Sequence, residues 1–224
     1  MSMLGGVMRS QRGVARFPEI LWADLYALSP AAYKGRIFYV PDIGSSAFMT
    51  SDGTYWVPVN GSLVLDSKSN PGISTTSTTL VQLAGWSLVI PAGLFKKPAA
   101  MLRGIIRGKR TGTLSTTGSP TIKIGWDTNT SRGLVATGSS TTANDGMRGQ
   151  SVLSRVDDTQ VLSANMLGAS SSNLGVANDS SETTLQTLDA TVATTFYSYG
   201  KVGDTPGSGE TTWIDEIIVE LIVP

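Results

Sequence analysis

Short apolar stretches of four to ten residues, often alternating with polar ones, recur along most of the chain, and no long 3.6-residue stripe interrupts them. That pattern predicts strands rather than helices. Beyond residue 72 the predicted strands are Leu80–Leu83, Trp86–Ile90, Met101–Arg107, Thr121–Trp126 and Leu134–Ala136. They continue with Gly149–Val156, Gln160–Leu162, Thr184–Leu188, Val192–Val202 and Trp213–Val223. Ile214, Ile217, Ile218 and Leu221 in the last segment also fit a helical stripe, but its β-branched density favours a strand. Eight to ten short strands without a long helix imply a β-sandwich or barrel, and an eight-stranded jelly roll fits about 150 residues.

The first sixty residues read differently. Residues 1–16 carry Gly and Arg without apolar period and predict an arm or disordered tail. Phe17 to Leu28, with Pro18 and Glu19 at its start, reads as a short helix or an extended segment. Arg36–Val40, Ala47–Thr50 and Tyr55–Val57 predict a three-stranded meander, its hairpin turned by Ser51-Asp52-Gly53-Thr54. About twenty-five residues are too few to bury the meander's own aromatics. With no Cys and no metal ligands to staple it, a protein partner is expected, either the second domain or another chain.

Composition supports the division. Nine of the 16 aromatic residues lie in residues 1–60, whereas 45 of the 53 Ser and Thr come afterwards. Asp66-Ser67-Lys68-Ser69-Asn70-Pro71-Gly72 looks like linker sequence. The expected organisation is therefore all-β: an arm and meander over 1–60, a linker over 61–71, and a jelly-roll-like sandwich over 72–224.

Charge and chemistry narrow the function. The 224 residues hold 17 Lys and Arg against 17 Asp and Glu, with no Cys and no His. Disulfides, Cys nucleophiles, Cys/His zinc sites and imidazole catalysis are excluded. Zero net charge argues against a nucleic-acid partner. No apolar run is long enough for a secretory signal or a membrane helix, so no membrane insertion is expected and the chain reads as soluble and made in a cytoplasm. No catalytic, metal-binding or cofactor-binding residue is assigned, and the chain is not expected to be an enzyme.

Weaker motifs have plainer readings. Asp127 to Gly133 starts like a calcium loop but has Arg132 where glycine is required and Gly138 where glutamate is, so a polar turn is expected. Asp157-Asp158 reads as hairpin-turn residues, since neighbours on a strand face opposite ways. Gly104 to Thr111 is one residue short of a phosphate loop. The sequons at Asn60, Asn129 and Asn178 fit chance in a Ser/Thr-rich chain. Seven basic residues between 61 and 110, against one acid, could bind a polyanion. Pairing with the later chain, which has twelve acids and five bases, is the favoured account. Tyr197 and Tyr199 share a strand face beside Lys201 and are the candidate receptor-binding pair, stacking on sugar rings; packing in a core or interface is the competing account.

Two stretches resemble a known module. Gly35-Arg36-Ile37-Phe38-Tyr39-Val40-Pro41-Asp42-Ile43-Gly44 and Ser51-Asp52-Gly53-Thr54-Tyr55-Trp56-Val57-Pro58-Val59-Asn60-Gly61 are similar to a module of bacteriophage tail-fibre and virion-appendage proteins. The Ile90-Pro91-Ala92-Gly93-Leu94-Phe95 turn and the final Ile/Val-rich strand resemble, more loosely, their jelly-roll tips. The resemblance implies a structural virion protein, a head or tail fibre. Residues 1–60 would attach to other virion proteins, and a trimeric β-domain would face a host-surface glycan or protein. A capsid decoration protein clamping shell subunits is the alternative. The final strand supplies candidate subunit contacts. Strict alternation puts Trp213, Ile217, Val219, Leu221 and Val223 inward. Ile214, Ile218 and Ile222 then face outward with Glu216 and Glu220, available to pair Arg103 or Arg107 across an interface.

Overall fold

A computed structural model describes residues 16–44, 46–113, 120–126, 133–138, 146–170 and 184–224. The chain divides into two compact units, residues 1–59 and 60–224. No helix among the described residues is long and apolar enough to cross a membrane.

The first unit contains helix α1 (Trp22–Ala27), a single 3-10 turn (Pro30–Tyr33) and strands β1 (Ile37–Val40), β2 (Ala47–Ser51) and β3 (Trp56–Pro58), paired as an antiparallel meander. The Phe17–Leu28 segment thus divides between both readings. Residues 18–20 are extended beside β1, with Tyr39 N–H bonded to Pro18 O and Ile20 N–H to Tyr39 O. The helix begins only at Trp22, whose N–H donates to the Asp42 carboxylate at 2.9 Å. Asp42 supplies from a distant turn the cap that Leu21 cannot. Trp22, Leu25, Phe38, Val40, Ile43, Met49 and Trp56 are all buried. Phe38 packs edge-on against Trp56 and Tyr33, at 5.6 and 5.8 Å between ring centroids. Tyr33 of the 3-10 turn thus packs against the meander's aromatics, Phe38 and Trp56, within the unit.

The Ser-Asp-Gly hairpin is built by its own side chains. Asp52 Oδ1 accepts the N–H groups of Thr54 and Tyr55, both at 2.8 Å. Ser51 Oγ donates to Pro30 O at 2.6 Å and accepts from Gly53 N–H at 3.0 Å. Gly53 has φ +104°, in the region that favours glycine.

The second unit is a β-sandwich. Strands β4 (Ser62–Thr75), β6 (Met101–Thr111), β9 (Gly146–Arg155), β10 (Gln160–Ser170), β11 (Thr184–Thr187) and β13 (Thr211–Ile222) form one sheet, in the order β11-β10-β9-β6-β13-β4. Strands β5 (Val81–Ile90), β7 (Thr121–Gly125), β8 (Val135–Gly138) and β12 (Thr194–Lys201) form the other, in the order β5-β12-β7-β8. The first and last strands of the unit, β4 and β13, are neighbours, and the chain crosses repeatedly between the two sheets. All neighbouring strands pair antiparallel. Leu102, Ile106, Ile122, Ile124, Phe196, Ile217, Val219 and Leu221 are fully buried between the sheets. In β6, and in β13 from Glu216 onward, buried residues alternate with more exposed ones, whereas β7 is buried at four consecutive positions, Ile122 to Gly125.

One expectation fails. Residues 61–71 are not a linker, because most of them belong to β4, which pairs with β13 along its length. Polar side chains and an Asn-Pro-Gly run hid a strand that buries only Leu63, Leu65 and Ile73. Two bulges, at Leu65 and at Asn70-Pro71-Gly72, accommodate what a regular strand would not. Such breaks, with Lys68 and Pro71, suit an edge strand.

Candidate functional site

The final strand does not alternate strictly. Thr212 and Ile214 are buried, and so are Ile217, Val219, Leu221 and Val223. The parity switches at Asp215, where the register of β13 against both β4 and β6 shifts. This bulge turns Ile214 into the core, 1% exposed, and leaves Trp213 half-buried on the other face. Of the candidate contacts, Ile218, Ile222, Glu216 and Glu220 remain on the outer face; Ile214 does not.

That face carries a charge ladder within the sheet. Glu216 stands opposite Arg107 and Glu220 opposite Arg103 in the β13–β6 register, with Ile218 opposite Ile105 between them and Ile222 opposite Met101. Glu220 pairs with Arg103, Glu216 with Arg107 at 3.0 Å, and Lys109 with Asp215 at 3.3 Å. Arg110 makes a fully buried pair with Glu210. Arg103, Arg107, Lys109 and Arg110 of the basic cluster are thus paired with later acids inside the chain, as favoured. Exposed pairs of this kind contribute about 0–1 kcal/mol each; their larger effect is to leave an outer face of isoleucines with little net charge.

The two candidate tyrosines have different surroundings. Strand β12 pairs with β7 without interruption, so Tyr197 and Tyr199 keep a common face. Tyr199 is only 3% exposed, with the buried Lys123 ammonium 5.3 Å from its ring centroid. It has no face free for a ligand in this chain. Lys201 is held by Asp204 at 3.0 Å. Tyr197 is half-buried and lines a cleft of about 540 Å³ with Asp66 and Lys68 of β4 and residues 82–87 of β5.

The cleft exists because both edge strands on this side of the sandwich are irregular. In the β5–β12 register Ser87 opposes Tyr197 and Gln82 opposes Tyr199, so four residues, Leu83 to Trp86, stand against Ser198 alone. Such a bulge bends the strand and re-aims its side chains. Leu83 and Trp86 turn inward, 6% and 5% exposed, while Ala84 and Gly85 are exposed. Gly85 has φ +105°, and a Cβ there would come 3.3 Å from Ile73 Cγ1. Trp86 Nε1–H donates to Asp66 Oδ2 at 2.8 Å, and Ser67 N–H donates to Oδ1 at 2.8 Å. The carboxylate is thereby held in one orientation at the cleft wall. Sequence reasoning found Tyr197 but not Asp66, Lys68, Gln82 or Trp86. No motif marks them, because only the pairing of β4 and β5 with other strands brings them together.

The remaining motifs are turns or fall outside the described residues. Asp157 Oδ1 accepts the Thr159 N–H at 2.8 Å and O–H at 3.0 Å, and Asp158 pairs with Arg155. Both belong to the β9–β10 turn. Asp157 is held below the ordinary aspartate pKa, first by the Thr159 amide. The calcium-like stretch at 127–132 and the sequons at Asn129 and Asn178 lie outside the described residues, while Asn60 is exposed in a turn. No group of carboxylates that could hold a metal ion occurs among the described residues.

No family model matches the chain, and no curated protein sequence matches it. Among solved structures, the CBM2 module of the evolved Dit protein of Lactobacillus casei BL23 phage J-1 is similar at a TM-score of 0.31 and 12% identity. The match covers 68% of this chain and 77% of that one.

Proposed function

We propose that the chain is a structural protein of a bacteriophage virion, a head or tail fibre or appendage. Residues 1–59 attach it to other virion proteins, and the sandwich faces a host surface. The observation that carries this reading is the stretch from Gly35 to Gly61, whose Pro-Asp-Ile-Gly and Ser-Asp-Gly-Thr-Tyr-Trp segments resemble the module of such proteins. Within the fold, Asp42 caps α1 and Asp52 builds the hairpin. The same unit leaves Phe17, Leu21, Phe48 and Val59 exposed, 41–52% each. Phe17 and Phe48 lie edge to face at 5.2 Å. Apolar surface of that kind suits attachment to another protein.

The chain assembles as a homotrimer through the outer face of the six-stranded sheet. Ile218, Ile105, Ile222 and Met101 form its apolar centre, and the Arg–Glu pairs form its rim. An apolar centre within a polar rim is the usual anatomy of a subunit contact. Ile218→Asp should dissociate the oligomer in light scattering while the circular dichroism of the sandwich persists. Wild-type chain running as a monomer at micromolar concentration removes the trimer.

Placement on the particle is tested by electron microscopy of virions carrying the tagged chain. A fibre gives a projection meeting the particle at one small socket. A chain spread across neighbouring shell subunits is instead a decoration protein. Removing residues 1–59 should abolish incorporation; a shorter deletion through residue 30 would destroy α1, whose Trp22 and Leu25 are buried.

A further inference from the structure

We propose that the cleft between β4 and β5 binds a neutral saccharide, with Tyr197 as the stacking surface and Asp66, Lys68 and Gln82 as the hydrogen-bonding groups. This names the site and ligand class of the host-facing sandwich, and it rests on the virion reading only for its biological setting.

The lining chooses among ligand classes. Asp66 offers acceptors, Lys68 donors, and Gln82 and Ser87 both. A polyhydroxylated ligand, whose every hydroxyl donates and accepts, satisfies such a mixture. An anion would meet the Asp66 carboxylate, and a cation would meet the Lys68 ammonium. An apolar ligand would strip water from both without replacing it. The single opposite charges leave the cleft with no net preference for a charged molecule. Tyr197 adds an aromatic surface with a polar tip, suited to a partner that is apolar on one ring face and wet at its edge.

The site is also prepared before any ligand arrives. Trp86 and Ser67 already orient the Asp66 carboxylate, so little ordering cost remains for binding. The Leu83–Trp86 bulge uses a backbone conformation that favours glycine, at Gly85, φ +105°. A strand that merely ended the sheet would need neither the four-residue bulge nor the fixed carboxylate. At about 540 Å³, the cleft falls within the roughly 300–1,000 Å³ of small-ligand sites.

The test uses the full-length chain, labelled with nitrogen-15, and a panel of neutral hexose and N-acetylhexosamine disaccharides at millimolar concentration. At least one disaccharide should shift the amides of Ser67, Gln82, Ala84, Gly85, Ser87 and Tyr197. Tyr197→Ala should weaken that binding roughly tenfold or more, equivalent to about 1.4 kcal/mol. Lys68 and Gln82 are exposed, so a Lys68→Ala/Gln82→Ala variant keeps the fold and should also weaken binding. This variant decides the matter if Tyr197→Ala fails to fold. No shift with any disaccharide overturns the proposal, as do shifts confined to other strands or binding unchanged in the variants. Incorporation into particles is read separately. A chain that binds sugar but is absent from virions overturns the virion reading alone, and an incorporated chain with a silent cleft overturns only this one.

Discussion

The buried pair between Arg110 on β6 and Glu210, just before β13, should be a main determinant of the sandwich's stability once one partner is lost. Both side chains are fully buried. Arg110 Nε donates to Glu210 Oε1 at 3.1 Å and its Nη2 donates to the same oxygen. Gly207 N–H donates to Oε2 at 3.3 Å, so the pair also ties down the loop ahead of the last strand. Glu210→Leu removes the carboxylate that this buried guanidinium pairs with. Breaking a buried pair in this way costs about 3–5 kcal/mol. In a domain of this size each kcal/mol lowers Tm by roughly 2–4 °C, so a fall of about 6–20 °C is expected. Arg110→Met should cost a similar amount. The double variant should recover most of the loss, because removing both charges removes the desolvation penalty with the attraction. Urea unfolding followed by tryptophan fluorescence measures all three. The surface pair gives the internal contrast: Arg107→Ala should cost about 1 kcal/mol or less. The reasoning fails if Glu210→Leu costs less than about 1 kcal/mol, or if the double variant is no more stable than the worse single one.

Gly108 stands opposite Ile214 in the β6–β13 register, and a Cβ there would overlap Trp213 O and come 2.8 Å from Ile122 Cδ1. Gly108→Ala should destabilise the sandwich by about 1–3 kcal/mol or more, seen as a lower urea midpoint. Asp42→Ala removes the acceptor for Trp22 N–H and should cost the first unit about 1 kcal/mol, read from the near-ultraviolet circular dichroism of its tryptophans. Asp189 is held below the ordinary aspartate pKa by the Thr191 hydroxyl and amide, as Asp157 is by Thr159. A lowered folded pKa means that these turns are fully stabilised above about pH 4 and lose that stabilisation as pH falls through the folded value. The Thr159 and Thr191 amide resonances should therefore stay in place from neutral pH down to about pH 4 and move only below it; movement centred near pH 6 would contradict the assignment.

Short apolar runs rich in β-branched and aromatic residues, bounded by turn residues, were enough to reveal most of the strands, because such side chains suit a pleated, half-buried surface. The Tyr55–Val57 and Ile37–Val40 strands, the Asp-Gly hairpin and the Trp213–Val223 strand all follow from such local signals. β4 escaped because its burial rests on three residues among polar ones, and its Asn-Pro-Gly bulge looks the same as a linker until a partner strand is beside it. The change of parity at Asp215 escaped for a related reason. A bulge depends on the register of two neighbours, and the side chains of β13 alone are compatible with unbroken alternation. The opposed acids and bases of β13 and β6 were visible as complementary charge, but which acid meets which base was decided by strand pairing. The cleft lies furthest from sequence. Asp66, Gln82, Trp86 and Tyr197 share no motif, and they meet only because two bulged strands end their sheets on the same side of the sandwich.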